Sequence, residues 1–263
     1  MSKLFFFDID GTLIECSKGI YSIPQKVREA MDSLKRQGHA VFLATGRCKC
    51  FIVDGVMDYP FSGYVTCNGA YVEYENKEIY KSIVSKEAII KTHEFCLERN
   101  LAYYFEGNDY IYVLNKDNPK HIEFKNNWGM KDKVIVDSFD VNEIETYIGM
   151  IVLNSDQDIE PMKNVLSPYF HIQQHQSGLS FDLTLKGESK AKGIEKLING
   201  LGKTMKDTIA FGDGRNDIEM LRCVNLGIAM GNAAMETKKV ADFITDNVEN
   251  DGIVKALKHF SFL

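Results

Sequence analysis

Two carboxylates one residue apart, Asp8 and Asp10, close the apolar run Leu4-Phe5-Phe6-Phe7 and are followed by Gly11-Thr12. Alternation along a strand would point both side chains the same way. Paired carboxylates repel, so a proton or a cation must offset the cost. A hard divalent cation such as Mg²⁺ accepts oxygen ligands of this kind. A plain strand end turning on Asp and Gly has the same composition. The buried strand placed just before the motif favours chemistry. A second acidic cluster, Gly212-Asp213-Gly214-Arg215-Asn216-Asp217, also follows an apolar run, Thr208 to Phe211. Asp213 and Asp217, with Asn216, could complete a cation site; an Asp/Asn/Gly turn capping the next helix is the alternative.

Those residues need elements that bring them to one edge. An unbroken apolar run such as Leu4 to Phe7 reads as a strand buried on both faces of a parallel sheet, and such sheets carry their chemistry beyond the strands' carboxyl ends. Pro24 suits a first helical turn, with Ser22 as a nearby cap, and Val27, Ala30, Met31 and Leu34 share one face before the stop at Gly38. Ala40 to Ala44 is the next buried strand, ending in Thr45-Gly46-Arg47, where donors would suit a phosphate. Strand–helix–strand order makes the two strands parallel. A third strand, Gly63 to Thr66, precedes Cys67-Asn68-Gly69, a turn or a substrate contact. Tyr71 to Tyr74 and Ile79 to Ser82 then form a hairpin around Glu75-Asn76-Lys77.

The texture changes near Ser85. A helix over Ser85 to Arg99, a hairpin of Leu101 to Phe105 with Tyr110 to Leu114, and a helix over 119–130 come first. No clear pattern holds from there to Asp140. Beyond it lie strands at Tyr147 to Leu153, Phe170 to Gln174 and Ser180 to Leu185, with a short helix at Glu160 to Leu166. Antiparallel pairs mixed with helices predict a separate α+β unit over 84–186. Its aromatic run, Tyr103, Tyr104, Phe105, Tyr110 and Tyr112, is expected to pack a sheet. Parallel-sheet texture returns with a helix over Glu188 to Leu201, strands at Thr208, Leu226 and Phe243, and a closing helix. The expected fold is α/β: a Rossmann-like parallel-sheet core of 1–83 and 187–263, with an inserted α+β cap domain of 84–186.

The chain has 263 residues, 31 basic and 37 acidic, for a formal charge of −6. That balance leaves no electrostatic footprint for nucleic acid and no basic run for an anionic membrane. Phe5 to Phe7 is too short for a signal or a span, so a cytoplasmic protein with no membrane partner is expected. Six scattered cysteines include one close pair, Cys48-Lys49-Cys50, with no second pair or histidine cluster at zinc spacing. They read as incidental thiols of a reduced chain.

Asp8-Ile9-Asp10-Gly11-Thr12, Thr45-Gly46-Arg47, Ser189-Lys190 and Gly212 to Asp217 occur in the order seen in haloacid dehalogenase-like (HAD) phosphatases. More narrowly, the chain resembles the Cof-type sugar-phosphate phosphatases, over nearly its whole length, including Asn68-Gly69 and Gly231-Asn232-Ala233. The resemblance implies Asp8 as the nucleophile that forms an aspartyl-phosphate, and Asp10 as general acid, then base. It implies Mg²⁺ on Asp8, the Asp10 backbone carbonyl and Asp213, with Asp217 in the metal shell. Thr45, Gly46, Lys190 and Asn216 would bind phosphate, with Arg47, Asn68 and Gly69 nearer the rest of the substrate. Lys190 would not be singled out on composition alone. The expected reaction is Mg²⁺-dependent hydrolysis of a small phosphorylated metabolite, a sugar phosphate foremost. A phosphomutase of the same superfamily is the alternative, and a non-catalytic phospho-ligand module the remote one. Oligomeric state and the role of Cys48 and Cys50 stay open.

Overall fold

The computed structural model describes all residues except 1, 129–133 and 176–177. Its Cα positions divide into two units: 1–47, 52–81 and 189–263 form the first, and 48–51 with 82–188 the second. The short stretch 48–51 therefore goes with the second unit, although the sequence reading placed it in the first.

In chain order the elements begin with β1 (Leu4–Phe7), α1 (Gln25–Arg36), β2 (Ala40–Ala44), α2 (Asp54–Met57), β3 (Gly63–Thr66), β4 (Tyr71–Tyr74) and β5 (Lys77–Lys81). The second unit carries α3 (Lys86–Glu98), β6 (Ala102–Glu106), β7 (Ile111–Leu114), α4 (Pro119–Trp128), β8 (Ile135–Val136), β9 (Ile148–Val152), α5 (Ile159–Leu166), β10 (Phe170–Gln174) and β11 (Ser180–Leu185). The chain then completes the first unit with α6 (Lys190–Gly200), β12 (Thr208–Gly212), α7 (Ile218–Cys223), β13 (Leu226–Ala229), α8 (Met235–Lys238), β14 (Phe243–Ile244) and α9 (Gly252–His259). Among the described residues no helix is long and apolar enough to cross a membrane.

The first unit holds one sheet in the order β14-β13-β12-β1-β2-β3-β4-β5, parallel from β14 to β3 and antiparallel at β4 and β5. Apolar residues alternate between its faces. Phe5, Phe7, Val41, Leu43, Ile209 and Phe211 pack on α1 and α9 through Val27, Met31, Leu34 and Ile253. Leu4, Phe6, Phe42, Ala44 and Ala210 pack on α6 and α7 through Ile194, Leu197, Met220 and Leu221. A strand must be apolar on both sides to sit between helices, which explains the unbroken runs.

Local chemistry sets the ends. α1 starts after Pro24, which stands at the cap position without a side-chain bond, so Ser22 does not cap it. It ends where His39 N donates to Leu34 O (3.0 Å) and Gly38 N to Lys35 O (2.9 Å), with Gly38 at φ 83°. Only a residue tolerant of positive φ closes a helix that way. The β4–β5 hairpin turns on Glu75 and Asn76, both at positive φ. Lys77 pairs with Tyr74 and belongs to the strand, which starts two residues earlier than the Ile79 of the sequence reading.

The second unit has a sheet ordered β10-β11-β9-β6-β7-β8, antiparallel except for the short β7–β8 pair. Tyr103, Phe105, Ile151, Phe181 and Leu183 cover one face with Ala88, Ile89, Phe95, Met162 and Leu166 of α3 and α5. The expected aromatic run therefore splits between faces: Tyr103 and Phe105 enter this cluster, while the Tyr104 hydroxyl meets His121 Nδ1 at 2.6 Å. Tyr110 is exposed. Residues 129–130, the expected end of the helix over 119–130, lie outside the described residues.

Candidate active site

The parallel strands β1, β2, β3, β12 and β13 all end at the same edge of the first unit's sheet, with a polar residue within three positions of each end. Asp8 leaves β1 with its amide on Phe211 O (3.1 Å). Its position in the alternation matches Leu4 and Phe6, the face that α6 covers. Lys190, at the first position of α6, is completely buried there. Its Nζ donates to Asp8 Oδ1 and to Asp217 Oδ1, each at 2.6 Å. Ser189 caps α6 by accepting from Lys192 N, which fixes where the helix starts and hence where Lys190 stands.

Asp217 is fully buried, and its second oxygen accepts from Asp213 N (3.0 Å) and Gly214 N (2.9 Å). That carboxylate folds the loop after β12 back on itself and sets Asp213. Gly212 must lack a side chain here, since a Cβ would fall 2.6 Å from the Asp217 carboxyl carbon. Gly11, at φ 76°, backs Asp213 from the other side: a Cβ would lie 2.2 Å from Asp213 Oδ2. Oxygens of Asp8, Asp213 and Asp217 lie within 4.8 Å of one another.

Burial pushes the Asp8 carboxyl well above its ordinary value; Asp217, Asp213 and Asp10 add to this, and Lys190 opposes it. Burial likewise pushes Asp213 up to about 7, with Asp217 adding and Lys190 and Thr12 opposing. Burial alone would discharge Lys190, but Asp217 and Asp8 outweigh it and raise its pKa. The cluster thus keeps its ammonium and is short of positive charge.

Asp10 does not share these partners, contrary to the expectation that both carboxylates point one way. β1 ends at Phe7, and the amides of Thr12, Leu13 and Ile14 all converge on Ile9 O (3.2, 2.9 and 3.0 Å). That turn ends the alternation and carries Asp10 outward, where it is exposed. Arg47 grips it with two bonds, Nε to Oδ2 and a terminal guanidinium nitrogen to Oδ1, both 2.8 Å. Such a fork fixes the carboxylate's plane as well as its position.

The remaining expected residues lie around this set. Thr45 is buried, its hydroxyl accepting from Arg47 N (3.1 Å). A Cβ on Gly46 would meet Asn68 Oδ1 at 3.1 Å and Asn216 Nδ2 at 3.4 Å. Asn216 Nδ2 donates to Asn68 Oδ1 (3.1 Å). Asn68 and Gly69 do form the turn joining β3 to antiparallel β4, at φ 51° and 93°. Gly69 packs so closely on α6 that a Cβ would sit 2.0 Å from Ser189 O. Two contributors were given no role from sequence. Thr12 donates to Asp213 Oδ1 (3.4 Å), and Asn232 donates to Gly11 O (2.7 Å) while accepting from Val248 N (3.3 Å). Asn232 lies just beyond β13, the same strand-end signal that marked Asp8 and Asp213.

The whole chain has known relatives. YkrA of Bacillus subtilis (strain 168), named there as a candidate phosphatase, is 34% identical over 266 residues, covering 100% of this chain and 99% of its own. The 5-amino-6-(5-phospho-D-ribitylamino)uracil phosphatase YcsE of the same organism is 27% identical across 98% of this chain and 95% of its own. Among solved structures, BT4131, described as a HAD subclass IIB sugar phosphatase, superposes with a TM-score of 0.85 at 30% identity, covering 100% of both chains. The family described as haloacid dehalogenase-like hydrolase matches residues 5–257. The chain belongs to that family, in its Cof-type branch.

Proposed function

We propose that this chain is a Mg²⁺-dependent phosphatase of small phosphate monoesters, sugar phosphates foremost, working through an aspartyl-phosphate on Asp8. The observation that carries the reading is the buried Lys190 ammonium, held between Asp8 and Asp217 beside Asp213. The names of BT4131 and YcsE support a small phosphorylated metabolite as substrate.

A divalent cation fits the residues present. The donors are carboxylate oxygens, the kind Mg²⁺ takes, and burial, with Asp217 adding, holds protons on Asp8 and Asp213 against the opposing charge of Lys190. Asp8, Asp213 and the Asp10 carbonyl would hold the ion. Asp217, engaged by Lys190 and two amides, would set Asp213 from behind. Bound there, Mg²⁺ supplies charge neutralisation for an anion approaching an anionic nucleophile.

In this reading a carboxylate oxygen of Asp8 attacks phosphorus while the ester oxygen leaves in line and takes a proton from Asp10. Asp10 then removes a proton from water as that water attacks the aspartyl-phosphate, and inorganic phosphate leaves. Lys190, Thr45 and the Asn68–Asn216 pair line the phosphoryl position and stabilise its equatorial charge. Arg47 holds both Asp10 oxygens in this structure, so proton transfer requires one of those bonds to open. The inserted α+β unit would act as the cap that excludes water and selects the leaving group.

Phosphate release across sugar phosphates, nucleotides and hexose bisphosphates tests this, with and without chelator. Turnover that needs Mg²⁺ and vanishes in Asp8→Asn is expected. Near-normal turnover in that variant, or indifference to chelator, overturns it. Isomerised sugar phosphate without net phosphate release would make the chain a mutase.

A further inference from the structure

We propose that Cys48 and Cys50 form a reversible thiol–disulfide pair, an oxidation site one residue from Arg47. Their Sγ atoms lie 3.3 Å apart. The intervening turn is tight, with Phe51 N donating to Cys48 O (3.0 Å). Cys50 is anchored at both ends: its amide donates to Asn108 O (3.1 Å) and its thiol lies 3.8 Å from Gly107 O. Cys48 is completely buried, whereas Cys50 is partly exposed. A reagent from solvent reaches Cys50 first, and Cys48 is already in place behind it. That division between an accessible sulfur and a resolving neighbour is what a redox pair needs.

With hydrogen peroxide as oxidant, the Cys50 thiolate attacks one peroxide oxygen, forming an S–O bond and releasing hydroxide. The Cys48 sulfur then attacks the Cys50 sulfenic sulfur. An S–S bond forms, and the sulfenic oxygen leaves as water with the Cys48 proton. The pair loses two electrons and two protons, and one peroxide becomes two waters. A disulfide requires an S–S separation of about 2.05 Å, so the sulfurs must close by roughly 1 Å. Strain in so small a ring makes the bond an oxidising one, readily reopened by thiols.

The contraction bears on the next residue. Arg47 O accepts from Cys67 N (3.0 Å) and Arg47 N donates to Thr45 (3.1 Å), so its backbone has little slack. A shift there reaches the guanidinium that grips Asp10. On the phosphatase reading, oxidation therefore slows turnover.

Peptide mapping decides the pair itself, whatever the activity. The protein is exposed to graded hydrogen peroxide, alkylated and cut with trypsin, which cleaves after Arg47 and Lys49. The expected product is Cys48-Lys49 linked to the peptide 50–77, two hydrogens lighter than its separate parts and released by dithiothreitol. Separate alkylation of Cys48 and Cys50, at peroxide doses that oxidise the exposed Cys16, overturns the proposal. Turnover should fall on the order of tenfold with disulfide formation and recover on reduction. Cys50→Ser should keep its basal activity and resist peroxide. A linked peptide with equal peroxide sensitivity in Cys50→Ser would overturn the coupling to Arg47 while leaving both the pair and the phosphatase reading standing.

Discussion

Lys190→Met removes a buried cation while keeping most of its stem's packing. The ammonium is 2.6 Å from each of Asp8 and Asp217, with no exposure to solvent. Without it, carboxylates whose oxygens lie within 4.8 Å of one another are left facing each other. At that separation and an effective dielectric of about 20, two like charges repel by about 3.5 kcal/mol. Losing one partner of a buried ion pair costs about 3–5 kcal/mol. The two routes agree, so the first unit should lose about 3–5 kcal/mol near neutral pH, roughly 10²- to 10⁴-fold in opening equilibria. Amide exchange of β1 and β12, measured in chelator, reads this directly where they flank the site. The sign with pH follows from Asp8. Its folded pKa already lies above the ordinary value and rises further without Lys190. A raised carboxyl pKa makes the penalty full at high pH and smaller as the pH falls and the carboxyl takes its proton. The gap between variant and wild type should therefore narrow from about pH 7.5 to pH 5. Equal protection in the two proteins at neutral pH would refute the reasoning, as would a gap that does not change with pH.

Three further expectations can be checked with simpler assays. Gly11→Ala forces a Cβ into the Asp213 carboxylate and a positive φ on alanine; kcat should drop on the order of 100-fold while circular dichroism stays native, and an active variant would show that Asp213 can move freely. Arg47→Lys loses the two-pronged grip on Asp10; kcat/KM should fall more for alkyl than for aryl phosphates, because only the poor leaving group needs Asp10's proton, and equal losses would detach Arg47 from acid catalysis. In the second unit, burial disfavours charge on His175, but the hydrogen bond and charge of Asp182, with Glu106 behind, outweigh it and raise the pKa above 6.5. Stability from that ion pair is present below the unfolded pKa and lost as pH rises through the folded one. His175→Gln should thus lower Tm more at about pH 6 than at about pH 8, and a constant difference would contradict the ion pair.

The parallel core was legible because unbroken apolar runs of four or five residues, between stretches of helical period, have few other readings. The strand ends were legible for the same reason, and they located Asp8, Thr45 and Asp213. Orientation beyond the last paired residue was not. Alternation holds as far as Asp8, which shares the face of Leu4 and Phe6, but it fails two residues later, where three amides gather on Ile9 O and turn Asp10 outward. The Arg47–Asp10 grip depends on that turn and on a loop from another strand, so no local pattern announces it. Lys190 looks like any helix-start lysine until the fold seats it between two acids. β8, in the stretch the sequence left blank, has two residues, too few to show a period. The stretch 48–51 follows a core strand in sequence but has its hydrogen bonds with Gly107 and Asn108, some sixty residues on.

Charge balance ties the nucleophile to its surroundings. Asp8, Asp213 and Asp217 ionised, with Lys190 protonated, sum to two negative charges in a space from which water is largely excluded. Burial is the main reason Asp8 and Asp213 both hold protons more tightly than free carboxylates, and that excess of negative charge adds to it. A protonated Asp8 cannot attack phosphorus. The fold could have lowered the excess with a second lysine, but a fixed ammonium would bind Asp8 permanently and compete with the phosphate for the nucleophile's lone pairs. A divalent cation instead cancels the remaining charge in one step and can share its positions with substrate oxygens. On the proposed reading, Lys190 supplies enough positive charge to keep the folded core intact, and deliberately ordered neighbours such as Gly11, Thr12 and Asp217 hold Asp213 ready for the rest. Stability and reactivity then draw on the same carboxylates, with folding served by one permanent cation and catalysis by one that comes and goes.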